Sequence, residues 1–133
     1  AAMDKFGATC VFASEWDKFA KETYFRNYNI EPHGDITKID AADIPDHDIL
    51  CAGFPCQPFS VSGKRMGFED TRGTLFFDVA RITKMKQPKL LFLENVKNFL
   101  THDNGKTLAT VKSTLEELGY DFYYKVLKKF PHQ

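Results

Sequence analysis

Segments with strand-like and helix-like patterns alternate along this chain, and no other feature of the sequence restricts its fold as strongly. The run at 89–93 is almost entirely apolar, as is typical of a strand buried on both faces of a parallel sheet. A second buried strand is predicted at 48–53, and the amphipathic pattern at 74–86, closed by Pro88, predicts a helix between them. The alternation therefore predicts an α/β fold with a mainly parallel, doubly wound sheet.

The remaining segments continue the alternation. Residues 1–7 have the pattern of the last turns of a helix, and no helical periodicity returns between 54 and 73, a connection of about twenty residues. Connections of that length in a small domain usually have a function or are mobile. We predict strands at 9–13 and 120–127, a helix at 14–29, a short helix after the capping pattern at 37–40, and a helix at 103–118 that Gly119 ends.

Length and composition limit the class of protein. With 133 residues and 43% hydrophobic side chains, the chain has the size and composition of one globular domain. It has only three cysteines, no leader sequence and no apolar run of about twenty residues, so we expect a cytoplasmic protein without a membrane span. Lys and Arg (18) balance Asp and Glu (18), so charge by itself argues against DNA binding.

Several reactive side chains follow predicted strands. Ligands of doubly wound sheets bind beyond the carboxyl ends of the strands. Glu15, Asp35, Glu94 and the loop at 54–60 all lie at such positions, so we expect three carboxylates and a thiol to converge on one edge of the sheet. The cysteines and histidines lack the spacing of a zinc site, and no metal is expected.

Cys56 is the leading candidate for chemistry. Pro55 and Pro58 fix their own φ angles and stiffen the loop that presents this thiol. A partly exposed loop at a strand end also offers N–H groups that favour the nucleophilic thiolate. The alternative is a small hydrophobic residue that fills a turn. Cys10 and Cys51 lie inside predicted strands, where we expect inert, buried thiols.

Each carboxylate has two interpretations. Glu94 ends an apolar run, so it either occupies a low-dielectric site that raises its pKa or is a solvated charge at a strand end. Glu15 and Asp35 suit acceptors for ribose hydroxyls and for an adenine amino group, but helix capping and turn formation explain them equally well. The basic loop at 61–72 is able to contact phosphate, and an ordinary solvated loop is the alternative.

Three motifs taken together resemble those of bacterial-type DNA (cytosine-5) methyltransferases. They are Gly-Phe-Pro-Cys-Gln-Pro-Phe-Ser at 53–60, Arg-Gly-Thr-Leu-Phe at 72–76 and Glu-Asn-Val at 94–96, in the order and at the spacing of that family. The resemblance extends over essentially the whole chain. It implies a Rossmann-like, S-adenosylmethionine-dependent methyltransferase fold and double-stranded DNA as the partner.

The resemblance also implies roles for individual residues. Cys56 would add to C6 of a cytosine flipped out of the duplex, Glu94 would hydrogen-bond the N3 and amino edge of that base, and Asn95 would shape the same pocket. The segment at 61–72 would be a mobile loop that closes on DNA. The cofactor-binding residues would be Glu15, Trp16, Asp35, Ile36, Pro55 and Leu75, and the DNA-binding residues would be Gln57, Ser60, Ser62, Lys64 and Arg72.

Other parts of the family pattern are missing from these 133 residues. They include the glycine-rich Phe-x-Gly-x-Gly loop, the Gln-x-Arg-x-Arg strand, the target-recognition domain and the C-terminal helix. We therefore expect residues 1–133 to form a partial catalytic domain with an incomplete sheet, inactive on its own. It would be a segment of a longer enzyme or half of a split pair that needs a complementary chain.

Two other functions remain open. A thiol hydrolase would need a histidine base beside Cys56, and His47 and His102 are the candidates, although neither lies in a convincing site. The second is a non-catalytic module with a degenerate methyltransferase fold that binds DNA or a partner chain.

Overall fold

The fold was obtained from a computed structural model, which describes residues 7, 9–14, 33–59 and 67–127. The described residues form two strands, β1 (Ile49–Gly53) and β2 (Leu90–Glu94), and two α-helices, α1 (Leu75–Lys86) and α2 (Lys106–Glu117). No helix in these ranges is long and apolar enough to cross a membrane. The predicted helices at 1–7 and 14–29 lie almost wholly outside the described residues. Short 3₁₀ turns occur at Ile36–Lys38, Ala41–Asp43, Phe68–Thr71, Lys97–Leu100 and His102–Gly105.

The two strands pair in parallel. Ile49 lies opposite Leu90, and Gly53 lies opposite Glu94. A parallel pair requires a crossover connection, and α1 lies between the two strands in the chain. The predicted strand–helix–strand order and the α/β character are confirmed, while the wider doubly wound sheet stays a prediction. Because both strands end at the same edge, the residues that follow them are neighbours.

Helix α1 begins and ends at residues that the sequence marks. The Thr74 hydroxyl oxygen accepts a hydrogen bond from the backbone N–H of Phe77 at 3.2 Å, which satisfies one of the first-turn donors. At the other end Gln87 adopts a left-handed conformation (φ 48°), and Pro88, which cannot continue a helix, follows it. The helix predicted at 74–86 is therefore confirmed.

Helix α2 begins later than predicted. Asp103 and Asn104 adopt left-handed conformations (φ 53° and 55°), so the regular helix starts only at Lys106. Its end agrees with the prediction, because Gly119 has φ 100°, a conformation that glycine adopts without steric cost. The short helix predicted after 37–40 is also present as the 3₁₀ turn that the Asp40 side chain caps.

An apolar core anchors the loop that follows β1. The ring of Phe54 packs against those of Phe76 and Phe99, with centroid distances of 5.2 and 6.0 Å. Burial of a side chain of this size contributes about 1.5–3 kcal/mol. Phe54 directly precedes the Pro-Cys dipeptide, so the core fixes the start of the loop that contains Cys56. The buried cluster comprises Phe54, Phe76, Ala80, Phe99, Val111 and Leu115.

Two predicted strands are wrong. Residues 9–13 form no strand; the next residue, Ser14, makes a single parallel bridge with His33. Residues 120–127 have strand-like alternation but are also not a strand. A strand exists only where a neighbour satisfies its backbone groups, and within the described ranges neither segment has a paired strand beside it.

The prediction that the strands are buried on both faces is also wrong. Leu50 and Leu93 pack against the buried clusters, whereas Leu90 and Phe92 are 44% and 53% exposed. Among the described residues, packing covers only one face of this two-stranded sheet, so exposure alternates along each strand. Cys51 lies on the uncovered face and is exposed, and Cys10 is exposed as well, which contradicts the prediction of buried thiols.

Candidate active site

The Pro-Cys loop after β1 lies beside the end of β2. Cys56 is half-buried, and its Sγ lies 3.5 Å from Oδ1 of Asn95, within hydrogen-bonding distance for a thiol. The Asn95 side-chain N–H donates to the carbonyl oxygen of Phe54 at 2.6 Å, and its Oδ1 accepts from the N–H of Val96 at 2.8 Å. Asn95 therefore ties the end of β2 to the backbone two residues before the thiol. The predicted convergence of Cys56 and Asn95 is present.

Glu94 lies against a residue that has no side chain. Gly53 is its partner in the sheet, and a Cβ built on Gly53 would lie 3.1 Å from Oε2 of Glu94. The carboxyl group thus occupies the space beside β1 at the point where the Pro-Cys loop begins. Glu94 is exposed, so the prediction that it stands in an apolar, low-dielectric site is wrong for the described residues. The alternative, a solvated charge at a strand end, describes it better.

Gln57 connects the same loop to α1. Its Oε1 accepts a hydrogen bond from the backbone N–H of Leu75, the first residue of the helix, at 2.8 Å. Together with Thr74, it satisfies two of the N–H groups that a helix leaves without an intrahelical partner. Sequence reasoning assigned Gln57 to DNA and missed this contact. The sequence shows that the N–H of Leu75, at the start of a helix, needs an acceptor, but it does not show which distant side chain provides one.

A cleft of about 410 Å³ lies between α1 and the turn at Ile36–Lys38. Its volume falls in the range of small-molecule sites, roughly 300–1,000 Å³. Leu75, predicted to contact the cofactor, lines it, whereas Pro55 is exposed and is not among the lining residues. The lining residues are Thr37, Gln57, Gly73, Thr74, Leu75, Phe77 and Asp78.

Asp35 and Ile36 lie at the turn that borders this cleft. Asp35 is half-buried, and its Oδ1 accepts hydrogen bonds from the hydroxyl and the backbone N–H of Thr37 at 2.7 and 2.9 Å. These two bonds, the hydroxyl first, lower the pKa of Asp35 below its ordinary value. The Ile36 carbonyl oxygen accepts from the Arg81 guanidinium at 2.6 Å. The capping role foreseen for Asp35 is confirmed, and its adenine contact stays a prediction.

Arg72 is already engaged within the chain. Its Nε donates to a carboxylate oxygen of Glu69, and its guanidinium carbon lies 5.0 Å from the centre of the Phe77 ring. The hydrogen bond to Glu69 raises the pKa of Arg72 above its ordinary value. Because its side chain is 61% exposed, the charge still faces solvent, and its contact with DNA stays a prediction.

The two histidines proposed as the base of a hydrolase, His47 and His102, are bonded to other groups in the described part of the chain. His47 is hydrogen-bonded to the Pro45 carbonyl oxygen at 2.9 Å, and His102 is hydrogen-bonded to the Thr107 hydroxyl at 2.5 Å, while Cys56 contacts Asn95.

Among the described residues, no group of three or more His, Cys, Asp or Glu side chains could hold a metal ion. The predicted site residues Glu15, Trp16, Ser60, Ser62 and Lys64 lie outside the described residues.

Comparison with known proteins places these features in context. The model of the family described as C-5 cytosine-specific DNA methylase matches residues 1–130. The Type II methyltransferase M.HhaI of Haemophilus parahaemolyticus is 61% identical over 126 residues, which are 95% of this chain and 38% of that protein. M.NgoBI of Neisseria gonorrhoeae is 61% identical over 125 residues, 94% of this chain and 39% of that protein. M.HpaII of Haemophilus parainfluenzae is 58% identical over 122 residues, 90% and 34% respectively. The chain thus spans less than two fifths of the length of these curated relatives.

Proposed function

The chain belongs to the C-5 cytosine-specific DNA methylase family, and from that membership we propose that it supplies the catalytic segment of a DNA (cytosine-5) methyltransferase. The family resemblance inferred from the three motifs is thereby confirmed. The observation that supports the proposed reaction best is the 3.5 Å contact between Cys56 Sγ and Asn95 Oδ1. It brings the thiol to the residue that directly follows Glu94.

Cys56 is the proposed nucleophile. Its thiolate adds to C6 of a cytosine, so an S–C bond forms while the C5–C6 π electrons move to C5, which becomes nucleophilic. The base must first leave the helical stack, because C6 is inaccessible inside a duplex. Once C5 carries the methyl group, a solvent base takes the C5 proton, the electrons of that C–H bond re-form the C5–C6 double bond, and the S–C bond breaks with its electron pair on sulfur, which returns the thiolate. Cys56 is half-buried, so part of this residue is accessible from solvent.

Glu94 is the proposed acid. In its protonated form, the carboxyl group donates a hydrogen bond to N3 and so offsets the negative charge that addition at C6 places on the ring. Gly53 leaves room for this group at the start of the Pro-Cys loop. Asn95 connects the end of β2 to the start of the Pro-Cys loop through its bond to the Phe54 carbonyl.

The cleft at α1 is the proposed site of the adenosyl cofactor. It combines apolar walls, from Leu75 and Phe77, with polar groups, from Thr37 and Asp78, and its volume of about 410 Å³ suits part of a nucleoside-sized ligand. When bound, S-adenosylmethionine supplies an electrophilic methyl group. Leu75 and Ile36 would hold its adenine by apolar contact, and Asp35, which is ionised near neutral pH, would accept from the amino group.

The test is covalent trapping by the full-length gene product. The probe is random-sequence duplex DNA in which 5-fluorocytosine replaces cytosine, added with S-adenosylmethionine. Fluorine at C5 cannot leave as a proton does, so the adduct persists and the protein migrates with the DNA under denaturing conditions. We expect trapping by the wild type, none by Cys56→Ala, and undiminished duplex binding by that variant.

Cys51→Ala is the matched control. Cys51 is an exposed thiol on β1, five positions before Cys56 in the sequence. The Cys51→Ala variant should form the covalent adduct as the wild type does. Trapping by Cys56→Ala would reject Cys56 as the nucleophile. If no adduct forms with the wild type, and no methyl group reaches unmodified duplex DNA, the proposed function is wrong.

A further inference from the structure

Arg81 joins two segments that are distant in the sequence. Its Nε donates to Oδ1 of Asp78 at 2.9 Å, one turn earlier in α1, and its Nη2 donates to the carbonyl oxygen of Ile36 at 2.6 Å. The side chains of Arg81 and Asp78 are only 20% and 8% exposed. One guanidinium thus connects α1 to the turn at Ile36–Lys38, and both bonds are partly shielded from water.

These two segments are the ones that form the cleft. Asp78 lines it from α1, and Thr37, which follows Ile36 directly, lines it from the turn. The Arg81 bridge is therefore one of the contacts that set the separation of the two walls. Since a guanidinium presents its donors in a rigid, planar fork, it sets this separation more narrowly than a flexible ammonium group could.

Apolar packing keeps the turn attached even without this bridge. Ile36 packs against the small buried cluster of Ala41, Ile44 and Ile82, the last of which belongs to α1. Loss of Arg81 should therefore relax the spacing of the cleft without detaching the turn. The guanidinium is not among the lining residues, so it acts through the walls and not on a ligand.

We propose that Arg81 is a positioning residue that sets the width of the cleft and thereby the affinity for the adenosyl cofactor. The inference rests on the proposed function, which places that cofactor in the cleft. The proposed role of Arg81 affects the equilibrium binding of the cofactor and not the chemical steps at Cys56. An Arg81 variant should therefore lose affinity for the cofactor and keep its turnover once the cofactor is saturating.

The test is calorimetric titration of the full-length gene product with S-adenosylhomocysteine, which has no methyl group to transfer. Arg81→Ala should bind roughly tenfold more weakly, a loss of about 1.4 kcal/mol in binding free energy. Arg81→Lys keeps the charge but not the fork, and should also bind more weakly than the wild type. In methyl-transfer assays the KM for S-adenosylmethionine should rise in both variants while kcat is unchanged.

Asp46→Ala is the matched control, because Asp46 also contacts α1 through its side chain, in an ion pair with Lys86 at 3.2 Å that does not border the cleft. It should bind S-adenosylhomocysteine like the wild type. Should Arg81→Ala fail to fold, as judged by thermal denaturation without ligand, Arg81→Lys decides the matter. Equal affinity in Arg81→Lys, the control and the wild type would overturn the inference, whereas absence of binding by the wild type would reject the proposed function itself.

Discussion

Replacing Gly53 by alanine tests how the position of the Glu94 carboxyl group affects activity, because the added Cβ contacts only Glu94 among the described residues. The new Cβ would lie 3.1 Å from Oε2 of Glu94, and ordinary contacts of this kind begin at 3.4 Å. Glu94 is exposed and free to yield, so we expect its carboxyl group to shift by a few tenths of an ångström. The backbone of Gly53 does not adopt a positive φ, so it accepts alanine without strain.

The expected effect on activity follows from that displacement. Misplacement of a catalytic group by about 1 Å costs on the order of 100-fold in rate, so 0.3–0.5 Å corresponds to roughly a four- to tenfold loss. The free energy of unfolding should stay the same or rise. Alanine gives the unfolded chain less conformational entropy than glycine does, which stabilises the folded state by about 0.5–1 kcal/mol. The variant should thus be as stable as the wild type and slower.

The assay is the single-turnover rate of methyl transfer by the full-length gene product, measured beside thermal denaturation. Gly34→Ala is the control, because nothing lies within 4 Å of a Cβ at that position. A double-mutant cycle with Glu94→Gln then asks whether Gly53 acts through Glu94. If it does, Gly53→Ala adds no further loss once Glu94 is replaced. A wild-type rate for Gly53→Ala, or fully additive losses, would refute the reasoning.

Two further predictions concern the side chains that fix the Pro-Cys loop. Gln57→Leu removes the acceptor for the Leu75 N–H and should lower the free energy of unfolding by about 1 kcal/mol, whereas Gln57→Glu keeps the acceptor, adds favourable charge at a helix N-terminus and should restore stability. Denaturant titration distinguishes the two, and equal stability of both variants would contradict the capping role. Asn95→Ala removes the bonds to Phe54 and Val96, so it should lose about 1–2 kcal/mol of stability and trap 5-fluorocytosine DNA at least tenfold more slowly. A trapping rate equal to that of the wild type would show that Asn95 does not position the thiol.

Local patterns predicted the elements that hold the candidate site. Thr74 and Pro88 mark the ends of α1, and the apolar runs before Gly53 and Glu94 mark the two strands. The rule that parallel strands end at one edge predicted that Cys56 and Glu94 lie near each other, and the family resemblance added Asn95, whose contact with Cys56 is present in the structure. These predictions succeed because caps, proline and hydrophobic periodicity act over a few residues.

The same patterns failed where a partner had to be known. The alternation at 120–127 is typical of a strand, but no described strand pairs with it, and the apolar run of β2 is half exposed because only one face is covered. The apolar run before Glu94 left two interpretations open, an apolar site and a solvated charge, and the exposure of Glu94 favours the second. Hydrophobic periodicity shows which residues are apolar, but it does not show which other element packs against them.

The sequence by itself determined the family, the strand–helix–strand order of β1, α1 and β2, and the identity of the nucleophile candidate, because motifs and short-range preferences are written in consecutive residues. Only the tertiary structure decided that Gly53 makes room for Glu94, that Gln57 caps α1, and that Arg81 joins Asp78 to Ile36. Gln57 and Leu75 are 18 residues apart in the chain, and Arg81 and Ile36 are 45 apart. Contacts over such separations depend on how helix and strand pack together, and on which buried donor finds which acceptor, so packing geometry and not local propensity selects them.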